Sequence, residues 1–130
     1  MHRLLVIDDE PLLLQAIAAV LGDRAHVVAT ANPHEALALI DVGERFDLIL
    51  VDVKMPSMNG IELRDRIAEL SPAQARRVVF VTAGPSTAEQ QRISSLPNAM
   101  LRKPLDLCVV EGLLSSALPY ASDSARMKIA

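Results

Sequence analysis

Aromatic side chains are nearly missing from this chain: 130 residues include no tryptophan, one tyrosine and two phenylalanines. The core must therefore be filled by aliphatic side chains, and any conformational signal must travel through aliphatic repacking or backbone movement. Cysteine is limited to Cys108, which excludes an internal disulfide and a multi-cysteine zinc site. Its apolar neighbours mark it as a packed thiol. No apolar run reaches the roughly 20 residues of a membrane span, since the longest, Pro11–Leu21, is about half that length. The N-terminus has no signal-peptide pattern either, so the expected location is the cytoplasm, without membrane insertion. Basic residues are scattered and the net charge is −3, which leaves no electrostatic footprint for nucleic acid. His2, His26 and His34 stand far apart, at a terminus, a strand start and a helix start, which argues against a histidine metal centre or phosphohistidine relay.

What is present is a mostly apolar chain with 51% hydrophobic and 22% charged residues, enough to fold alone. At this length one domain buries roughly 65–70% of its unfolded surface. Segments of two kinds alternate along it. Arg3–Ile7 reads as a buried strand ending in Asp8-Asp9-Glu10; a helix Pro11–Leu21 follows, with proline at its first turn. Gln15 is its only polar interior residue, so this helix is expected to be largely buried, and Gly22 to cap it in the left-handed conformation. His26–Thr30 is a second strand, and Asn32-Pro33-His34-Glu35 opens a second helix that Gly43 breaks. Leu48–Val51 is an unbroken apolar run of the kind buried on both faces, with Asp52 at its tip. Asn59-Gly60 then opens a third helix with Ile61, Leu63, Ile67 and Leu70 on one face. Arg77–Val81 is a fourth strand, Ser86-to-Glu89 a capping box for a weakly anchored helix, and Ala99–Arg102 a short fifth strand. Asp106 caps a last helix ending at Pro119, after which residues 120–130 read as a tail or linker outside a domain of residues 1–119.

Five strands alternating with five helices predict an α/β doubly wound parallel sheet with helices on both faces. In such sheets ligands bind outside the carboxyl ends of the strands. The polar outliers obey that rule: Asp8 and Asp9 end the first strand, Asp52 the third, Thr82 the fourth and Lys103 the fifth. Two carboxylates about 4 Å apart repel by roughly 4 kcal/mol at an effective dielectric near 20. Three converging ones imply a cation, and oxygen-only ligands with room for water and phosphate suit Mg²⁺. Metal and ammonium beside one accessible carboxylate suit phosphoryl transfer, with Asp52 as the attacking group.

VIDDE, LILVDVKMPSMNG, VFVTAG and LRKP, in this order and at these intervals, resemble the receiver domain of two-component response regulators over nearly the whole chain, Arg3 to about Leu118. The resemblance implies a flavodoxin-like sheet of order 2-1-3-4-5, Asp52 as phosphoacceptor, and Asp8 and Asp9 as the acidic pair serving Mg²⁺. It further implies Asp9 as direct ligand, Asp8 acting mainly through water, and the backbone carbonyl of Lys54 completing the set. Thr82 is implied as the hydroxyl that moves toward the phosphoryl group, Lys103 as the lysine that pairs with it, and Lys103-Pro104 as a cis bond. The implied partners are a histidine kinase or histidine phosphotransfer domain, and a downstream protein on the face built from Ser86–Leu118.

This chain departs from the family pattern at Met100, where an aromatic switch residue is usual, and at Leu105, where phenylalanine is common. At Lys54, where members vary, the ammonium is expected to pair with Asp52 or its phosphoryl group. Other classes fit less well. An aspartyl-phosphate phosphatase would want an acid where Lys54 stands, and a flavin carrier would want a phosphate-cradling loop where the chain has acids. A docking module without phosphorylation is a further alternative. The chain reads either as a stand-alone receiver or as the receiver of a longer protein such as a hybrid histidine kinase.

Overall fold

A computed structural model describes residues 1–116. The expected helix end at Pro119 and the tail from 120 to 130 lie outside the described residues. Five strands form one parallel sheet of order β2-β1-β3-β4-β5: β1 His2–Ile7, β2 Ala25–Thr30, β3 Leu48–Asp52, β4 Val78–Thr82 and β5 Met100–Arg102. The helices among the described residues are α1 Pro11–Leu21, α2 Pro33–Asp41, α3 Gly60–Leu70, α4 Pro72–Ala75, α5 Thr87–Ser94 and α6 Leu107–Ser116.

Alternation along the strands builds two cores, because successive side chains leave opposite faces. Leu5, Ile7, Ile49, Val51, Val78 and Phe80 enter one core with residues of α2, α3 and α5. Leu4, Val6, Leu48, Leu50, Val79 and Val81 enter the other, with Ile17 of α1 and Val110 of α6. The central strand β3 is buried along its whole length, as its continuous apolar run requires. Met55 and Met58 pack into the first core.

Local chemistry sets the helix ends. Asn32 Oδ1 accepts the His34 N–H at 2.9 Å, Asn59 Oδ1 accepts those of Ile61 and Glu62, and Ser86 with Glu89 forms the expected reciprocal capping box. Gly43 ends α2 with φ 101°, a conformation glycine tolerates best.

Four expectations are corrected. First, α4 is an additional single turn: Ser71, extended at φ −156°, ends α3 and also caps α4 by accepting the Gln74 N–H. Gln74 is then buried and bridges the Phe46 backbone, taking its N–H at 2.8 Å and donating to its carbonyl at 3.2 Å. Second, α1 is not largely buried. Only Ile17 and Leu21 are, while Leu12 is 73% and Val20 49% exposed, because one sheet face and α6 cover a single stripe of the helix. Leu70 of α3 is likewise exposed, at 43%. Third, Gly22 is right-handed, with φ −61°. Fourth, Cys108 is exposed, since the buried side of α6 is set by Val110, Leu113 and Leu114.

Candidate functional site

The strand periodicity that builds the cores also gathers the acids. Asp8 follows Val6 and Asp52 follows Leu50 by two residues, so both carboxylates leave the sheet on the face covered by α1 and α6. The β4–β5 register and a hydrogen bond from Lys103 N–H to the Thr82 carbonyl, 2.9 Å, carry Lys103 to the same edge. Its ammonium lies 3.1 Å from Asp8 Oδ2, 3.6 Å from Asp52 Oδ2 and 3.9 Å from Glu10 Oε2. Asp8, Asp9 and Asp52 each offer an oxygen within 4.8 Å of the others. Asp8 and Asp52 are buried, 2% and 5% exposed, and Asp9 faces solvent. Three hard carboxylate oxygens, one open to water, fit an oxygen-preferring divalent ion and do not fit a thiolate- or imidazole-type metal.

The electrostatics follow from this placement. Beneath the acids lies a cavity of about 10 Å³ lined by apolar Val6, Leu13, Ile17, Leu50, Val81 and Leu105. Burial is the main reason that the Asp52 carboxyl rises from the ordinary 3.8 to about 6, and the Asp8 charge adds to it. Lys103 and the Lys54 N–H, which donates to Asp52 Oδ1 at 3.4 Å, pull the other way, and Asp9 pushes slightly upward. Burial also works against the charge of Lys103, but the hydrogen bond and charge of Asp8, then the charges of Asp52 and Glu10, outweigh it and raise its pKa. Even with the Lys103 ammonium beside it, Asp52 is thus costly to ionise.

Thr82, buried at the end of β4, shares its strand face with Phe80, the face opposite to the acids. Its hydroxyl accepts the Gly84 N–H at 3.2 Å. A Cβ built on Gly84 would meet only Arg102 at 3.9 Å, so the loop above Thr82 is open. The Lys103-Pro104 bond is cis, as the resemblance implied. Gly60 allows the loop after Asp52 to close: its N–H donates to the Val53 carbonyl at 2.8 Å, and a Cβ there would meet the Asp52 carbonyl oxygen and come within 2.9 Å of Val53 Cα.

Two residues make contacts that the sequence did not suggest. Glu10 sits at the N-cap of α1 without a side-chain capping bond, and its carboxylate faces Lys103 instead. Lys54 does not pair with Asp52; its ammonium lies 3.9 Å from Glu89 Oε1, in the first turn of α5. Glu89 was visible as a capping-box residue, but nothing local links it to a lysine 35 positions earlier.

The sheet order and the acid-lined edge at its switch point make this a flavodoxin-like α/β domain. The model of the response regulator receiver domain matches residues 4–110, and the chain belongs to that family, a module of two-component signalling. A response regulator receiver protein of Anaeromyxobacter sp. is 36% identical over 106 residues, 81% of this chain and 44% of its own length. The Escherichia coli K12 sensor histidine kinase RcsC is 33% identical over 86% of this chain but 12% of its own. The positive alginate biosynthesis regulatory protein of Pseudomonas aeruginosa is 33% identical over 98% of this chain and 50% of its own. The chain therefore spans half or less of these curated relatives. Among solved structures, a receiver domain protein from Methanospirillum hungatei JF-1 superposes with TM-score 0.76 and 27% identity, covering 90% of this chain and 96% of that one. A response regulator from Burkholderia pseudomallei, solved with a phosphorylated aspartic acid, a calcium ion and citrate, gives 0.73 and 28%, covering 90% and 69%. Among the described residues no helix is long and apolar enough to cross a membrane.

Proposed function

We propose that this domain accepts a phosphoryl group on Asp52 from a phosphohistidine of a histidine kinase or phosphotransfer protein. An Asp52 carboxylate oxygen attacks phosphorus, the bond to the histidine nitrogen breaks, and the imidazole leaves with the bonding pair and takes up a proton. The observation that carries the reading is the position of Asp52 at the end of buried β3, 3.6 Å from the Lys103 ammonium and clustered with Asp8 and Asp9. The phosphorylated aspartic acid in the Burkholderia relative supports it.

Asp8, Asp9, Asp52 and the Lys54 carbonyl would hold Mg²⁺, which supplies charge neutralisation to the phosphoryl oxygens when bound. Asp9, the exposed acid, is suited to direct ligation; Asp8, hydrogen-bonded to Lys103, to a role through water. Lys103 sits where it can pass from the carboxylates to a phosphoryl oxygen and hold it in line. Buried Thr82 leaves the opposite face of the sheet, and the open Ala83-Gly84 loop above it is the room in which its hydroxyl would turn toward that group. Its movement, with α5 beside it, would bias a two-state equilibrium sensed by a downstream protein on the Ser86–Leu118 face. The kinases among the relatives carry such a segment within much longer chains, which supports a histidine kinase as donor.

Incubation with acetyl phosphate and Mg²⁺ followed by intact mass tests this directly. The wild type is expected to gain one phosphoryl group and Asp52→Asn none; an unmodified wild type would leave a docking module without phosphorylation as the better reading.

A further inference from the structure

We propose that Glu89 is a positioning residue for Lys54, holding its ammonium away from Asp52 at rest and competing with the phosphoryl group for it afterwards. The inference rests on Asp52 being the phosphoacceptor and adds what regulates that site. Lys54 stands between two anions: its N–H donates to Asp52 Oδ1 at 3.4 Å, while its ammonium reaches Glu89 Oε1 at 3.9 Å. The same Glu89 oxygen accepts the Ser86 N–H at 2.8 Å, so the lysine is tied to the cap of α5 itself.

That helix has little else to hold it. Ile93 is its one buried apolar residue, and an open groove of about 330 Å³ separates it from α3, bridged by Arg92 Nη2 to Asp65 Oδ2 at 2.7 Å. The first turn of α5 is therefore held toward the acceptor loop by charge. Phosphorylation replaces a carboxylate of at most one negative charge by a group carrying about −1.5 to −2, so the acceptor's pull on the ammonium rises above that of the single charge of Glu89 and Glu89 is released. With Met100 in place of an aromatic, this exchange gives the chain a polar route from the acceptor to α5. An ammonium on the phosphoryl oxygens also obstructs the attacking water. Hydrolysis, in which water bonds to phosphorus, the bond to Asp52 oxygen breaks and inorganic phosphate leaves, slows accordingly.

The test is a double-mutant cycle on phosphoryl lifetime. Wild type, Glu89→Gln, Lys54→Met and the double variant are loaded with acetyl phosphate and Mg²⁺, freed of donor, and followed by intact mass. Glutamine also serves at this position of a capping box, so Glu89→Gln removes the charge and keeps the cap. Freed of its competitor, Lys54 should lengthen the lifetime in Glu89→Gln by roughly two- to fivefold, the range of an exposed ion pair. Lys54→Met should shorten it, and in that background Glu89→Gln should have no effect. An unchanged lifetime in Glu89→Gln, or the same change with and without Lys54, overturns the proposal while leaving Asp52 as acceptor. A wild type that gains no phosphoryl mass overturns both.

Discussion

Replacing Asp52 by asparagine should stabilise the metal-free domain at neutral pH, although it removes the central residue of the site. In the fold the Asp52 carboxyl rises from 3.8 to about 6, so keeping it ionised costs about 3 kcal/mol relative to the unfolded chain. The raised value means that the folded state binds the proton more tightly. Its stabilising contribution is complete below about pH 4 and is lost as pH rises through 6. Asparagine is uncharged, as the protonated carboxyl is, and keeps an oxygen for the Lys54 N–H, so it should recover most of that cost, at least about 2 kcal/mol. For a domain of this size that corresponds to a rise of roughly 6–8 °C in Tm. Calorimetric melts of both proteins in EDTA from pH 4 to 7.5 isolate the effect, because groups common to both cancel in the difference. The two Tm values should nearly coincide at pH 4 and separate as pH rises past 6, with the variant higher. Mg²⁺ should narrow the gap by stabilising the wild type through mass action. A difference that stays flat with pH, or a variant that melts lower at pH 7.5, would refute the electrostatic account of the site.

Two further substitutions probe how the scaffold holds the site. Gly60→Ala places a methyl group against the Asp52 carbonyl and 2.8 Å from Val51 Cγ1, and should cost about 1–3 kcal/mol in urea unfolding while weakening Mg²⁺ binding in titration. Equal stability and equal binding would show that the loop has room. Asn98, buried, donates to the Ala75 and Val78 carbonyls at 2.8 Å each and accepts from Arg64 Nε at 3.1 Å. Asn98→Ala should lose about 1–3 kcal/mol by leaving those carbonyls unpaired, with phosphoryl uptake at Asp52 unchanged in the surviving folded fraction.

Much of the molecule was legible before folding, because its signals are local. The apolar run before Asp52, the proline and asparagine at helix starts and the Ser86-to-Glu89 box act through covalent neighbours, and each stands where expected. Period-two alternation likewise sets Asp8 on the face of Val6 and Asp52 on that of Leu50, and the parallel register of β1 and β3 makes the two faces one. Hydrophobicity was a poor guide to exposure. The uncharged α1 reads as a core helix and Cys108 as a packed thiol, yet both present apolar atoms to solvent. How much of a helix is covered depends on which elements lie over it, and that information is not in the segment.

By itself the sequence determined the order and type of the main elements, the strand ends at which the acids and Lys103 stand, and the family to which these motifs belong. Only the tertiary structure decided that Glu10 turns to Lys103, that Lys54 turns to Glu89, that Thr82 leaves the sheet opposite to the acids, and that one turn of α4 delivers Gln74 to the Phe46 backbone. The difference is one of range: periodicity and capping are settled within a few residues, whereas the partner of a charged side chain is set by which distant segment the packed sheet brings within a few ångströms of it.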